Sequence, residues 1–229
     1  MSSRGQILDK IKGSLRKTRT VHTSDEERKQ AVLTRISQHP RGIIPERTSL
    51  SKQDLLLHFC EKAEASDATC KVVKSYTKAA EEILDFLRQH NLPQRIRMGS
   101  DQRLMKLAWE NEPPQILLGP SDGQDLICVS HAQCGVSETG TLVMTSGPEN
   151  PSTLNFLPET HIILLHKKDL QKSYEDSWTA MRRRYGKEKL PRTINMITGP
   201  SRSADIEQTL ILGAHGPLRL HVIVIDGKK

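Results

Sequence analysis

His161-Ile-Ile-Leu-Leu-His166 is an almost unbroken apolar run, too short for a helix and flanked by Thr160 and Lys167. A strand of this kind lacks the in–out alternation of a half-solvated sheet, so it belongs in a parallel sheet covered on both faces. Leu220–Ile225 repeats the pattern near the end of the chain. Between and before these runs the apolar spacing switches between the two classes of element. Thr69–Val73, Arg95–Met98, Leu126–Ser130, Gly140–Ser146, Asn195–Thr198 and a short Thr209–Leu212 read as strands. Ser51–Ala65, Thr77–Gln89, Asp101–Trp109 and Leu170–Tyr185 read as helices. The alternation predicts an α/β fold, a parallel-rich sheet flanked by helices.

Ahead of this region, Ile7, Ile11 and Leu15 form one helical stripe, and Ser24-Asp-Glu-Glu27 has the spacing of a capping box opening a second helix to Ser37. His39-Pro-Arg-Gly42 ends it, and the stretch from Ile43, with Pro45, reads as a linker. The expected organisation is an N-terminal helical segment and linker over 1–48 and an α/β domain over 49–229.

Composition narrows the function. At 229 residues, 35% hydrophobic and 27% charged, the chain has the material for one well-filled core. The N-terminus has no secretory apolar region and no run approaches the roughly 20 apolar residues of a membrane helix, so the expected location is cytoplasmic. Cys60, Cys70, Cys128 and Cys134 include no Cys-x-x-Cys pair; they read as buried free thiols, with no metal or cluster bound by this chain. The net charge of +7 gathers in Lys10–Arg19 and Met181-Arg-Arg-Arg-Tyr-Gly-Lys187. Aromatic residues are only 3% and no base-reading motif is present, which argues against nucleic acid. The basic runs read as solvated helix faces, or as surfaces for an anionic ligand or acidic partner.

Three loops carry the chemistry-bearing side chains. Ser137-Glu-Thr-Gly-Thr-Leu142, continued by Ser146-Gly-Pro-Glu-Asn-Pro-Ser-Thr153, offers Gly140 for close backbone approach, the hydroxyls of Thr139 and Thr141 for an oxyanion, and Glu138 as a base or nucleophile. It serves equally as a turn feeding a strand. Thr198-Gly-Pro-Ser-Arg-Ser-Ala-Asp-Ile-Glu207 sets Gly199, Ser201, Arg202 and Ser203 within five residues, a combination suited to phosphate or carboxylate. In the other reading Ser203 or Asp205 caps a short helix and Arg202 pairs with a local acid. Gly213-Ala-His-Gly-Pro217 presents His215 beside Gly216, and His215, Asp205 and Glu207 fall on neighbouring loops. Because ligands gather at the carboxyl ends of strands in α/β sheets, all three loops are site candidates.

Taken in order, Glu138-Thr-Gly-Thr-Leu, Leu157-Pro-Glu-Thr-His-Ile, Thr198-Gly-Pro-Ser-Arg-Ser-Ala-Asp-Ile-Glu and Gly213-Ala-His-Gly-Pro resemble the motifs of the lactate utilization protein C family, whose domain is the LUD domain. Glu138 and Ser203 stand where the family pattern suggests an Asp-like and a Thr-like residue. The resemblance implies a domain related to the sugar-phosphate isomerase and CoA-transferase-like fold. It also implies an accessory subunit of a system that oxidises L-lactate to pyruvate, beside partner subunits that hold iron-sulfur clusters. The site residues expected on this footing are Thr139, Gly140 and Thr141 on one wall, an anion loop of Gly199, Ser201, Arg202 and Ser203 with Gly216, and Glu138, Asp205 and His215 as catalytic or positioning groups. The alternative is an independent enzyme acting on a CoA ester or phosphorylated small molecule, with Glu138 as nucleophile or base and the Arg202 loop gripping the anion.

Overall fold

The computed structural model describes residues 3–17, 24–51, 53–110, 112–186, 189–206 and 209–227, and the chain divides into two units, Met1–Ile43 and Ile44–Lys229. The first unit holds α1 (Ser3–Lys17) and α2 (Asp25–Gln38). Ser24 opens α2 as the spacing predicts: its hydroxyl accepts from Glu27 N at 3.2 Å, and Glu27 Oε2 accepts from Ser24 N at 2.6 Å. The second unit begins ahead of residue 49 for a physical reason. Thr48 is buried and closes a turn on the Pro45 carbonyl, while Arg47 reaches Glu138.

In chain order the second unit holds α3 (Asp54–Glu64), β1 (Thr69–Val73), α4 (Tyr76–Gln89), β2 (Arg95–Met98), β3 (Gln115–Leu118) and β4 (Ile127–His131). There follow β5 (Cys134–Val136), β6 (Thr141–Thr145), β7 (Thr160–His166), β8 (Leu170–Gln171) and α5 (Tyr174–Tyr185). The chain ends with β9 (Ile194–Ile197), β10 (Arg202–Ile206), β11 (Thr209–Leu212) and β12 (Arg219–Ile225).

Six strands form one sheet in the order β1-β12-β7-β4-β2-β3, and every neighbouring pair is parallel. The apolar run that defines β7 is explained by burial on both sides. Ile162 and Leu164 face α4, whose Ala79, Ala80, Ile83 and Leu87 line the same core as Ile223 and Ile225 of β12. Ile163 and Leu165 face the other way, into a core shared with Phe59 and Ala63 of α3 and with Leu142 and Met144. Those last two residues belong to a second sheet, ordered β8-β5-β6-β9, which covers this face together with α3. β10 and β11 form a separate antiparallel hairpin.

Some elements differ from the sequence reading. Asp101–Trp109 is not a helix: only Leu104–Lys106 forms a 3-10 turn. The Asp101 carboxylate accepts from Arg103 N at 2.9 Å and binds the Arg103 guanidinium, capping a single turn that ends at Leu107, where the backbone becomes extended. The segment from Leu170 starts as strand β8, and α5 begins only after Ser173, whose hydroxyl accepts from Asp176 N at 3.2 Å. β3 and β5 were not visible as strands. Ser203 and Asp205 do not cap a helix, because residues 202–206 pair with β11.

Candidate functional site

After β2 the chain moves outward to β3; after β4 it moves to β7 on the other side. Neighbouring strands whose connections leave in opposite directions open a crevice at their carboxyl ends, where ligands of α/β sheets bind. A cavity of about 640 Å³ lies there, lined by Asp101 and Arg103 after β2, Gln133 after β4, the 145–150 loop, and Arg184 and Tyr185 at the end of α5. Gly99 brings the loop after β2 against the 145–150 loop: a Cβ at this position would meet the Glu149 carbonyl oxygen at 2.0 Å, so only glycine lets the two close up.

The floor is a fixed ion pair. Arg103 Nη2 lies 2.6 Å from Asp101 Oδ2 and its Nη1 donates to the Ala132 carbonyl at 3.0 Å, while Asn150 Nδ2 donates to Asp101 at 3.1 Å. Burial pushes the Asp101 carboxyl upward, but the bonds from the Arg103 side chain and backbone and from Asn150 outweigh it and hold the group well below the usual carboxylate range. Asp101 is therefore an anchor and carries no proton near neutrality. His131 at the end of β4 is also set. Its Nδ1 donates to the Ala132 carbonyl at 2.8 Å, which leaves Nε2 to accept from the Tyr76 hydroxyl at 3.2 Å. Burial, helped by the Arg103 charge, pushes its pKa down to about 3.

Arg184 is held differently. With the Gln133 amide oxygen turned toward it, as the surrounding donors require, that oxygen accepts from Arg184 Nη1 and Nε at 3.0 Å each. A neutral amide thus orients the guanidinium without cancelling its charge, and among the described residues no carboxylate pairs with it. Of the charged residues lining the cavity, Arg103 and Asp101 cancel, and Arg184 and Lys189 against the one exposed Glu149 leave an excess of one positive charge. The Thr145 hydroxyl, 3.1 Å from the Tyr185 hydroxyl, adds a polar wall. This arrangement can orient a small anion.

The second and third motif loops gather elsewhere. Ser201 N donates to the Pro217 carbonyl at 2.9 Å, Gly213 N to the Ser201 carbonyl at 2.9 Å, and His215 N to Ser201 Oγ at 3.3 Å. These bonds join the second and third loops into the wall of a cavity of about 270 Å³, which Gly199, Ser201, Arg202, His215 and Gly216 line. It lies at the amino ends of β7 and β12, beside His161 and Leu220. The expectation that these loops follow strands of the parallel sheet is corrected: Thr198 follows β9 of the small sheet, and Gly213 follows the β10–β11 hairpin. The Arg202 charge is already engaged, with Nη1 3.3 Å from Asp67 and Nη2 on the Ser66 carbonyl. Ser203 lies in β10, paired with Ile211. Asp205 also lies in β10; its side chain and all of Glu207 lie outside the described residues, and so does their convergence with His215.

The first loop joins neither cavity through Glu138. That side chain is buried and lies 2.6 Å from Arg47 Nη2. Thr139 and Thr141 spend their hydroxyls on each other at 2.7 Å and on the Tyr174 hydroxyl at 3.0 and 2.9 Å, and Thr141 also meets Thr198 Oγ1 at 2.6 Å. Gly140 has a positive φ of 67°, and a Cβ there would meet Ala63 N of α3 at 2.3 Å. The loop is a packed turn that ties β6 to β9, α3 and α5. Among the described residues, no group of three or more His, Cys, Asp or Glu is arranged to hold a metal ion, and no helix is long and apolar enough to cross a membrane.

The family of LUD domains matches residues 56–225, which takes in all six strands of the parallel sheet and both cavities. The chain belongs to the LUD domain family. The domain is 31% identical over 120 residues to lactate utilization protein C of Shouchella clausii, covering 52% of each chain. It is 31% identical over 136 residues to lactate utilization protein C of a Geobacillus species, covering 55% of this chain and 56% of that one. It is 40% identical over 97 residues to the uncharacterized protein NMB1437 of Neisseria meningitidis, covering 42% of this chain and 40% of that one. The chain thus spans about half the length of the curated relatives it matches. In fold, the LUD domain is similar to the crystal structure of a DUF162 family protein from Deinococcus radiodurans, with a TM-score of 0.59 at 17% identity over 77% of this chain and 99% of that one.

Of the crevice lining, the stretch Ser146-Gly-Pro-Glu-Asn150 belongs to the first candidate loop, whereas Asp101, Arg103, Gln133 and Arg184 form no motif. Two signals pointed to them: Gly99-Ser-Asp101 directly after a strand, and the basic run Arg182–Arg184, which reads as a solvated helix face but delivers Arg184 to the cavity.

Proposed function

We propose that this LUD domain protein serves lactate utilization as an accessory component, binding a small carboxylate in the crevice at the carboxyl ends of β2 and β4. The observation that carries the reading is Arg184, oriented by the neutral Gln133 amide and facing a cavity with an excess of positive charge. A guanidinium with remaining donors is the group that recognises a carboxylate in two-pronged fashion. The relatives named lactate utilization protein C support the choice of lactate or pyruvate as the carboxylate. The electron-transfer clusters of the lactate-oxidising system are assigned to iron-sulfur partner subunits, in keeping with the motif resemblance, and none is assigned to this chain.

No specific observation favours the independent enzyme built on Glu138, since Arg47 holds that carboxylate and it lines neither cavity. The test has two arms. Isothermal titration of the full chain with L-lactate and with pyruvate should give saturable heat that Arg184→Ala removes. L-lactate-dependent dye reduction by the co-expressed iron-sulfur proteins should require the chain. Absence of binding together with dye reduction indifferent to the chain would overturn the reading.

A further inference from the structure

Cys60 in α3 and Cys70 in β1 bring their sulfur atoms to 2.6 Å, the one place where two thiols of the described chain touch. Both are half-buried, whereas Cys128 and Cys134 are fully enclosed. We propose that Cys60 and Cys70 form an oxidisable dithiol that a hydroperoxide closes to an intramolecular disulfide across the α3–β1 turn. This inference is independent of the carboxylate reading above.

The geometry assigns the two sulfurs different parts. Cys70 donates its thiol hydrogen to Cys60, and this bond lowers the Cys60 pKa against burial and against Glu64 and Glu61, which raise it. The same bond, with burial, raises Cys70. Cys60 is the nucleophile of the pair. Its thiolate attacks the terminal oxygen of the hydroperoxide, forming an S–O bond as the O–O bond breaks; the departing hydroxide or alkoxide takes up the proton that Cys60 gave up, and Cys60 is left as a sulfenic acid. The Cys70 sulfur then attacks the Cys60 sulfur. The S–S bond forms, the S–O bond breaks, and the departing hydroxide takes the Cys70 proton as water. With hydrogen peroxide, two thiols and one peroxide give one disulfide and two waters. Cys128 and Cys134 stay out of this chemistry, because burial pushes each thiol up to about 12.

The bridge would bracket a turn that already holds another part of the domain. Ser66 and Asp67 lie between the two cysteines; their carbonyl and carboxylate grip Arg202, and the Ser66 carbonyl abuts Gly199 so closely that a Cβ there would lie 2.0 Å away. Oxidation state at Cys60 and Cys70 is thereby linked to the anchor of the small cavity's loop.

The experiment treats the full chain with hydrogen peroxide at low molar excess, then denatures it, labels thiols with a maleimide and records intact mass and a peptide map. The expected result is an unlabelled mass about 2 Da lower, half of the thiols protected, one peptide joining Cys60 to Cys70, and full reversal by dithiothreitol. Cys60→Ser and Cys70→Ser should each abolish the loss of two hydrogens, and the wild-type measurement stands by itself if either variant folds poorly. Complete labelling after peroxide, added oxygen in place of lost hydrogen, a bridge between two copies, or a Cys128–Cys134 peptide would each overturn the proposal.

Discussion

Arg103 and Asp101 form a largely buried ion pair at 2.6 Å with local support on both sides: the Arg103 guanidinium also bonds the Ala132 carbonyl, and Asp101 also takes Asn150. Removing one member of such a pair strands the other charge, which costs more than the pair contributes. Arg103→Ala is expected to lower stability by about 3 kcal/mol in urea unfolding, because Asp101 would be left buried beneath the crevice. Asp101→Asn, which keeps acceptor and shape, should cost less. Equal small losses of under about 0.5 kcal/mol for both would show that the pair is solvated.

Arg184 separates binding from folding. Its exposed side chain lies at the end of α5, held by the neutral Gln133 amide and lying 5.8 Å from the centre of the Tyr185 ring, so Arg184→Ala should change stability by about 0.5 kcal/mol or less. The same substitution should weaken L-lactate or pyruvate by at least about tenfold, equivalent to about 1.4 kcal/mol, as expected for loss of a charge-assisted pair. Arg184→Lys should recover only part of the affinity, since an ammonium cannot offer the planar fork. Titration calorimetry at two salt concentrations checks both statements, and unchanged affinity in Arg184→Ala would place the carboxylate elsewhere.

The parallel core was legible because its chemistry is local. β7 and β12 announce themselves by apolar residues on both faces, and Ser24 and Ser75 cap their helices through neighbours three residues away. What was not legible depends on long-range partners. Cys134-Gly-Val136 is a strand only because β6 and β8 flank it, and Gly135 is needed there because a Cβ would press on Leu165 and Leu170. The crevice joins part of the first candidate loop, Ser146–Asn150, to Arg103, Gln133 and Arg184, residues that no short motif can connect. The motif residues Ser201, Arg202, His215 and Gly216 line one cavity. The Arg202 guanidinium is held by Ser66 and Asp67, more than a hundred residues upstream, partners that local spacing does not reveal.

Gly140 is required by two independent constraints. Its φ of 67° is a left-handed conformation, and the space where a methyl would go holds the backbone of Lys62 and Ala63 at 2.6 and 2.3 Å. Backbone of a helix cannot move aside as a flexible side chain does. Gly140→Ala is expected to destabilise by about 2 kcal/mol or more, combining the left-handed strain with displacement of α3. Gly123, with φ 95° and open space around it, supplies the control: Gly123→Ala should carry only the conformational part, about 1 kcal/mol. Thermal melts of the two variants distinguish the terms, and equal losses would mean that the contact with α3 yields easily.

Three buried histidines set the pH range in which the domain is stable. Burial pushes His131 and His161 down to about 3 and His221 down to about 4, from an ordinary value of 6.5. In His131 the Arg103 charge adds to burial, and in His221 His90 and Lys71 add to it. Below pH 6.5 the unfolded chain takes up protons that the folded chain refuses, so stability is complete above that value and declines as pH falls toward 4. Each histidine protonated only in the unfolded chain contributes a slope of about 1.4 kcal/mol per pH unit. Asp101 acts in the adjoining window: its depressed folded pKa supplies stability above the ordinary carboxylate range, lost as pH falls further. Urea midpoints at pH 7.5, 6 and 5 should therefore fall in steps while the native structure is retained, and His161→Gln should flatten the slope by one proton. A midpoint constant from pH 7.5 to 5 would mean that the histidines are protonated in the folded chain, with water or a counter-charge reaching His161 Nδ1, the ring nitrogen that no protein group bonds.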